Sequence, residues 1–185
     1  MTRATLPITL CGFGLVLLAT LFRDHWVRWS AVESSIHQEF PEVQQLSTEE
    51  LAQWLADPER PTPLLLDVRR AEEYQVSHLE GAWQVDPDLE GSELRAALPA
   101  EIGSETPIVA YCSVGYRSSR LARRLEAEGF GDVANLEGSI FRWANEGRPL
   151  VTTSAEGEPI ATRSVHPYDR TWGRLLDRER WAWEP

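Results

Sequence analysis

The chain has 185 residues and a formal net charge of −11. This length suits one domain of typical size together with terminal appendages. The acidic balance argues against nucleic acid as the main partner, because phosphate binding needs a basic surface. Its 2 cysteines, Cys11 and Cys112, lie in separate predicted segments, which argues against a structural disulfide between them.

An uncharged run at residues 6–22 is the first feature along the chain. Its length is at the low end of what spans a bilayer as a helix. A secretory signal peptide is the alternative, but Leu21, Phe22 and Arg23 stand where cleavage needs small residues. We therefore predict an uncleaved anchor over residues 1–22 and a single-pass membrane protein. Arginines flank both sides of the run, so the side on which the domain lies stays open.

The segment that follows, residues 23–41, is predicted to form a helix from Trp26 to about Gln38, ended by Pro41. Tryptophans just after an apolar run are typical of a membrane interface. We interpret the segment as a juxtamembrane linker between the membrane and the domain. A solvated linker without a fixed helix is the alternative.

Residues 42–150 carry the pattern of one α/β domain. Ser47 and Glu50 form a capping box, which predicts a helix that ends near Pro58. Short apolar runs predict strands at residues 43–46, 64–66, 82–85, 108–111 and 133–135. Helical patterns lie between and after them, at residues 71–76, 92–98, 118–127 and 139–145. Alternating strands and helices predict a mostly parallel sheet with helices on both faces.

A cysteine follows the most apolar of these strands. Cys112 lies where the strand ends, and the chain then passes through Gly115 and Arg117 into a helix. A helix N-terminus stabilises a thiolate, and an arginine offers donors to an anion. A buried core cysteine is the alternative for a lone residue of this type. The neighbouring glycine, arginine and serines favour a reactive thiol instead.

Several segments in order resemble the rhodanese-like family of sulfurtransferases. They are CSVGYRS at residues 112–118, LLLDVR at 64–69, SHLEGA at 77–82 and VANLEGS at 133–139. The resemblance covers roughly residues 42–150. The third segment begins with serine where the family usually has glycine, a departure that affects a turn and not the chemistry.

This resemblance implies a transfer of sulfane sulfur through a persulfide on Cys112. The donor would be a compound such as thiosulfate, and the acceptor a thiol or cyanide. Backbone N–H groups of the loop would hold the anionic persulfide, and Arg117 the anionic end of the donor. Neither a metal nor an organic cofactor is implied. The predicted site comprises Cys112 as nucleophile, the loop residues Ser113, Val114, Gly115, Tyr116, Arg117 and Ser118, and the supporting residues Asp67 and Arg69.

Asp67 and Arg69 follow a neighbouring strand, so they are expected at the same edge of the sheet as Cys112. In the fold that the resemblance implies, this segment is usually architectural. Arg69 is expected to pair with Glu73, four residues further on. His78 is expected to be a hydrogen-bonded turn residue and not a catalyst.

Two other functions remain as alternatives. A cysteine phosphatase needs five residues between cysteine and arginine to surround a phosphate, whereas four separate Cys112 from Arg117. A membrane-tethered persulfide carrier, redox sensor or partner-binding module without turnover is the second alternative, since a reactive thiolate also suits sensing.

The C-terminal extension, residues 151–185, lies outside the resemblance. Residues 151–162 are polar and predict a linker. The remainder from Val165 is rich in tryptophan, which is untypical of a disordered tail. We expect it to fold back onto the domain. The alternative is a surface for a protein partner or the membrane interface.

Overall fold

The computed structural model of the protein describes residues 28–185. The strands are β1 (Gln44–Leu46), β2 (Leu64–Asp67), β3 (Trp83–Gln84), β4 (Ile108–Tyr111), β5 (Val133–Leu136), β6 (Leu150–Thr153) and β7 (Pro159–Thr162). The helices are α1 (residues 28–39), α2 (Thr48–Ala56), α3 (Ala71–Val76), α4 (Gly91–Ala97), α5 (Tyr116–Ala127) and α6 (Ser139–Asn145). Two short 3-10 helices follow at Trp172–Leu175 and Arg178–Arg180.

Strands β1 to β5 form one parallel sheet in the order β1-β5-β4-β2-β3. Strand β4 lies at its centre, and all four of its residues are buried. A strand covered on both faces needs an apolar side chain at every position, which explains its continuous apolar run. The predicted parallel α/β sheet is therefore confirmed.

Helices cover both faces of the sheet and create two hydrophobic clusters. On one face, α2 and α6 contribute Leu51 and Phe141. On the other, α4 and α5 contribute Leu94, Leu121 and Leu125. Every one of these five side chains is fully buried, so the sheet is the shared floor of two cores.

The capping box predicted at the start of α2 is present. The Ser47 hydroxyl accepts a hydrogen bond from the Glu50 N–H at 3.2 Å, and the Ser47 N–H donates to the Glu50 carboxylate at 2.9 Å. These contacts satisfy N–H groups that have no partner within the helix. Ala56 is the last residue of α2, close to the predicted end at Pro58.

Helix α1 packs into the domain, although the sequence predicts this segment as a spacer. Trp29 joins the first hydrophobic cluster, while Ile36 and Phe40 join the second. All three side chains are buried. Apolar residues at helical spacing are compatible with either a packed core or a membrane interface. In this structure those of α1 pack into the core of the domain.

The membrane part of the predicted architecture needs correction. Among residues 28–185, no helix is long and apolar enough to cross a bilayer. A span takes about 20 apolar residues, whereas α5 has 12 residues and presents arginines on one side. The predicted anchor at residues 1–22 lies outside the described residues. The architecture is therefore an α/β domain in which the described chain provides no transmembrane helix, in place of the single-pass membrane protein predicted.

The predicted linker at residues 151–162 is largely a β-hairpin. Strands β6 and β7 pair in antiparallel fashion, with Leu150 opposite Thr162. Backbone hydrogen bonds of 2.8 and 3.0 Å between His78 and Val151 attach the hairpin to the domain. The polar composition of the segment suggests a loop, but the β-branched residues Val151, Thr152 and Thr153 in a row also suit a half-exposed strand.

The chain after the hairpin folds back onto the domain. Val165, Leu175 and Leu176 are buried in the same hydrophobic cluster as Phe141. The side chain of Asn145 in α6 donates to the Leu175 carbonyl at 2.8 Å. The extension is thus an integral layer of the domain, as the tryptophan-rich sequence predicts.

Candidate active site

Cys112 lies at the carboxyl end of the central strand β4, where parallel sheets commonly bind ligands. Gly115 caps the following helix α5 and has φ +113°, a conformation that side chains disfavour. A Cβ atom at Gly115 would also lie 3.2 Å from both Asn135 and Ile36. The glycine therefore permits the tight loop that places Cys112 beside the helix N-terminus.

Helix α6 fixes the backbone of this loop. The N–H groups of Ile140 and Phe141 donate to the carbonyls of Cys112 and Ser113, each at 3.2 Å. The Ser139 hydroxyl accepts from the Cys112 N–H at 3.1 Å. The first N–H groups of a helix lack partners within the helix, so these contacts use donors that are otherwise free. Hydrogen bonds to α6 therefore hold the backbone of the first two residues of the loop, Cys112 and Ser113.

The sulfur of Cys112 lies in an environment that favours the thiolate. Burial raises the pKa of this thiol, but the Arg117 charge and hydrogen bonds from Ser118 and Gly115 outweigh it, so the pKa is lower than usual. The Gly115 N–H donates to Sγ at 3.2 Å. A lowered pKa increases the fraction of the nucleophilic form at neutral pH.

Arg117 is held by Glu73 and not left free in the pocket. Its two terminal nitrogens each lie 2.9 Å from a carboxylate oxygen of Glu73, in a bidentate pair. The Ser113 hydroxyl donates to the same carboxylate at 3.1 Å. Burial raises the pKa of Glu73, but its bonds to Arg117 outweigh this and lower the pKa overall. The predicted Arg69–Glu73 pair is therefore corrected to Arg117–Glu73.

Asp67 and Arg69 lie beneath the site and pair with each other. The Arg69 Nε and Nη2 atoms lie 2.9 and 2.6 Å from the two Asp67 carboxylate oxygens. Arg69 also donates to the Ser77 carbonyl, and its own carbonyl accepts from Gln84 at 2.8 Å. Both charged side chains are fully buried. This arrangement ties the end of β2 to the chain around β3, and the supporting role of the two residues stays a prediction.

His78 lies outside the pocket, in contact with the loop that precedes β3. Its ring stacks on Tyr74 with centroids 3.8 Å apart, and Nδ1 lies 3.0 Å from the Tyr74 carbonyl. Burial lowers the pKa of His78, which favours the neutral ring. These contacts fit the predicted turn residue.

A cavity of about 130 Å³ opens above Cys112. Five of the predicted site residues line it: Cys112, Ser113, Val114, Tyr116 and Arg117. Gly115 and Ser118 lie behind the wall, where the Ser118 hydroxyl donates to Asn135 at 2.6 Å. Within the described part of the chain, His, Cys, Asp and Glu side chains form no group suited to a metal ion.

Sequence reasoning misses three residues of this site. Tyr168 and Trp172 from the C-terminal extension complete the cavity wall. Glu73 pairs with Arg117 from helix α3. The aromatic density of the extension signals that it packs, but no spacing in the sequence indicates which surface it covers. The sequence signal for Glu73 is its place in the helix after β2, because the loop with Arg117 follows the neighbouring strand β4.

Known proteins resemble this chain in sequence. The rhodanese-like domain family matches residues 47–146, which is more than half of the chain. A sulfurtransferase from Allochromatium vinosum is 34% identical over 109 residues, covering 59% of this chain and 95% of that protein. A tRNA uridine(34) hydroxylase from Protochlamydia amoebophila is 39% identical over 84 residues, 44% of this chain but only 26% of the hydroxylase.

A solved structure shows the same fold. A rhodanese-like domain protein from Staphylococcus aureus aligns with a TM-score of 0.50 and 27% identity. The alignment covers 60% of this chain and 100% of that protein, so the remaining part of this chain includes elements that the smaller protein lacks. The family match and the sulfurtransferase relative together show that this chain belongs to the rhodanese-like family of sulfurtransferases.

Proposed function

We propose that this protein transfers sulfane sulfur from a small donor such as thiosulfate to a thiophilic acceptor, through a persulfide on Cys112. The observation that carries the proposal is the position of the Cys112 sulfur. It lies at the floor of an open cavity, beside a helix N-terminus and a fixed arginine. These are the conditions under which a cysteine acts as a nucleophile.

The first half-reaction breaks the sulfur–sulfur bond of the donor. The Cys112 thiolate attacks the outer sulfur of thiosulfate, a new sulfur–sulfur bond forms, and sulfite leaves with the electron pair. Cys112 then carries a persulfide whose terminal sulfur is anionic. The Gly115 N–H already donates to Sγ at 3.2 Å. Backbone N–H groups in this loop would stabilise the negative charge on the persulfide.

The second half-reaction returns the enzyme to its starting state. An acceptor such as cyanide or a thiolate attacks the terminal sulfur of the persulfide. The bond to Sγ breaks, and the Cys112 thiolate leaves with the electron pair. Because one product departs before the acceptor reacts, ping-pong kinetics are expected.

Arg117 supports this chemistry through its charge. The guanidinium contributes to the lowered pKa of Cys112 and keeps the loop in position through Glu73. The expectation that Arg117 binds the anionic end of a donor stays a prediction, since both terminal nitrogens already contact Glu73.

The decisive experiment follows the sulfur on the full chain. The protein is treated with thiosulfate alone, its intact mass is measured, and turnover is then assayed with cyanide as acceptor. We expect a mass gain of one sulfur and thiocyanate production. Cys112→Ser should lose both, with activity reduced by at least about a thousandfold. Cys11→Ser is the matched control and should retain both.

Each other outcome has a defined meaning. A mass gain without turnover favours a persulfide carrier or sensor over an enzyme. Persistent activity in Cys112→Ser contradicts the assigned nucleophile. No mass gain in the wild-type protein with thiosulfate or any other sulfane donor overturns the proposed function.

A further inference from the structure

The cavity above Cys112 has two walls of different origin. The active-site loop, residues 112–118, provides one wall. Tyr168 and Trp172 of the C-terminal extension provide the other, which we call the aromatic wall. The family match ends at residue 146, so the aromatic wall is an addition of this chain to the family's domain.

Trp172 is held in place by the start of its own 3-10 helix. The Asp169 carboxylate accepts hydrogen bonds from the N–H groups of Thr171 and Trp172, at 2.7 and 2.8 Å. Behind this turn, the Trp181 indole N–H donates to the Gly173 carbonyl at 3.1 Å. The buried Leu175 fixes the helix to the core. Trp172 itself lines the cavity above Cys112 and remains 39% exposed.

Tyr168 is positioned by a backbone conformation that its side chain disfavours. Its φ is +64°, and its N–H donates to His166 Nδ1 at 3.1 Å. Its ring centroid lies 4.8 Å from the guanidinium carbon of Arg117, within the range of a cation–π contact. Tyr168 therefore covers the face of Arg117 and narrows the cavity from the side of the extension.

The charge in the cavity is largely balanced. Apart from the Cys112 thiolate, Arg117 is the only charged residue among those that line it in the described chain, and Glu73 pairs with both of its terminal nitrogens. The remaining wall consists mainly of Val114 and three aromatic rings, including Tyr116. Such a cavity favours a substrate with an apolar body over a small dianion, whose desolvation is costly.

The size of the cavity agrees with one small ring. An apolar protein cavity of about 150 Å³ holds one benzene molecule. The cavity here measures about 130 Å³ and opens to solvent beside exposed aromatic rings. A phenyl group or a short alkyl chain can therefore lie against the aromatic wall while the attached sulfur reaches Cys112.

We infer that Tyr168 and Trp172 form a specificity-determining subsite for the apolar or aromatic body of an organic sulfane-sulfur donor. The inference rests on the proposed function, which it deepens by naming a substrate class. For a thiosulfonate donor, the Cys112 thiolate attacks the terminal sulfur and the sulfur–sulfur bond breaks. An organic sulfinate leaves with the electron pair, and the same persulfide is formed. Thiosulfate has no apolar body and gains nothing from the wall.

The test compares three donors on the full chain with cyanide as acceptor: thiosulfate, methanethiosulfonate and benzenethiosulfonate. The variant is Trp172→Ala. The matched control is Trp183→Ala, because Trp183 is a tryptophan of the same extension, 48% exposed, that does not line the cavity. We expect Trp172→Ala to lower kcat/KM for benzenethiosulfonate about tenfold. The values for thiosulfate should change less than about twofold, and Trp183→Ala should change neither.

A binding measurement separates the subsite from the chemistry. Benzenesulfinate, the expected product, is titrated calorimetrically into Cys112→Ser and into the same protein with Trp172→Ala. We expect binding to weaken about tenfold when the indole is removed. Equal binding by both proteins, or an equal loss of activity with all three donors in Trp172→Ala, overturns the subsite. Failure of every donor to add sulfur to Cys112 overturns the proposed function itself, and this result is seen by mass.

Discussion

The two walls of the cavity are held in different ways. The active-site loop is fixed by backbone hydrogen bonds to α6 and by the charged pair of Arg117 with Glu73. The extension that carries the aromatic wall is fixed mostly by buried side chains, among them Val165 and Leu175. Backbone hydrogen bonds and charged pairs fix the positions of atoms to within tenths of an ångström. Buried apolar side chains, in contrast, tolerate replacement by side chains of similar volume.

This difference matches what each wall contributes. The loop holds the reacting sulfur, so its geometry must be strict for the chemistry to proceed. The aromatic wall contacts only the non-reacting part of a substrate under our inference, so its residues can change without loss of the nucleophile. A domain of this family can thus acquire a new preference by adding a layer beyond its own boundary at residue 146.

Removal of the carboxylate beneath the loop should give the largest change in stability. We expect Glu73→Gln to lower the free energy of unfolding by about 3 kcal/mol, because it leaves the mostly buried Arg117 without its counter-charge. Urea unfolding measures the effect. Glu72→Gln, an exposed neighbour on the same helix, is the control and should change stability by less than about 0.5 kcal/mol.

The pH dependence of this effect has a definite sign. The pKa of Glu73 is lowered in the folded protein, so its pairing stabilises the fold above the pKa of an unfolded glutamate. That stabilisation is lost as the pH falls through the lowered value. The difference between the wild-type protein and Glu73→Gln should therefore shrink on acidification, and a difference that stays constant would contradict the pairing.

The two walls should also differ in their influence on the thiol. Because the pKa of Cys112 is lowered, persulfide formation should persist below the pKa of an ordinary thiol and then fall about tenfold per pH unit. A double variant, Glu73→Gln with Arg117→Met, removes the charge without leaving a buried carboxylate unpaired. Its rate profile should shift to higher pH, whereas Trp172→Ala should leave the midpoint unchanged. Stopped-flow assays with thiosulfate from pH 5 to 10 test both.

The smallest expected effect concerns the attachment of the extension. The Asn145 side chain donates to the Leu175 carbonyl at 2.8 Å and accepts from the Asp177 N–H at 2.9 Å. Asn145→Ala should lower stability by about 1–2 kcal/mol through the loss of both bonds. Hydrogen exchange should rise in the extension while the loop stays protected. Gln53→Ala, an exposed change on α2, is the control. A rise in hydrogen exchange that is equally large in the active-site loop and in the extension would contradict the separate attachment of the two walls.

Local signals in the sequence predict much of the fold. The capping box of Ser47 and Glu50, the proline that follows α2 (Pro58) and the apolar run of β4 each act over a few residues, so they can be recognised directly in the sequence. The position of Cys112 at the end of a buried strand follows from the same reasoning. Because all these segments resemble one family, the resemblance also predicts how they are arranged in the fold.

Features that depend on distant contacts are harder to predict. The partner of Glu73 is Arg117, 44 residues away, whereas helix spacing alone suggests Arg69. Tyr168 and Trp172 reach the cavity because of where Val165 and Leu175 are buried, which no local pattern shows. The hairpin at residues 150–162 is held by its bridge to His78, which is distant in sequence. Because this contact is not local, the polar sequence alone indicates a linker.

The close approach of Ile36 to Gly115 has a practical consequence for shortened forms of the protein. The active-site loop rests on α1, since a Cβ at Gly115 would lie 3.2 Å from Ile36 and the Tyr116 hydroxyl bonds Glu39. A fragment cut at the family boundary, residue 47, loses this support even though it keeps every residue of the family's domain. A shortened form that preserves this support must therefore retain Ile36 and Glu39.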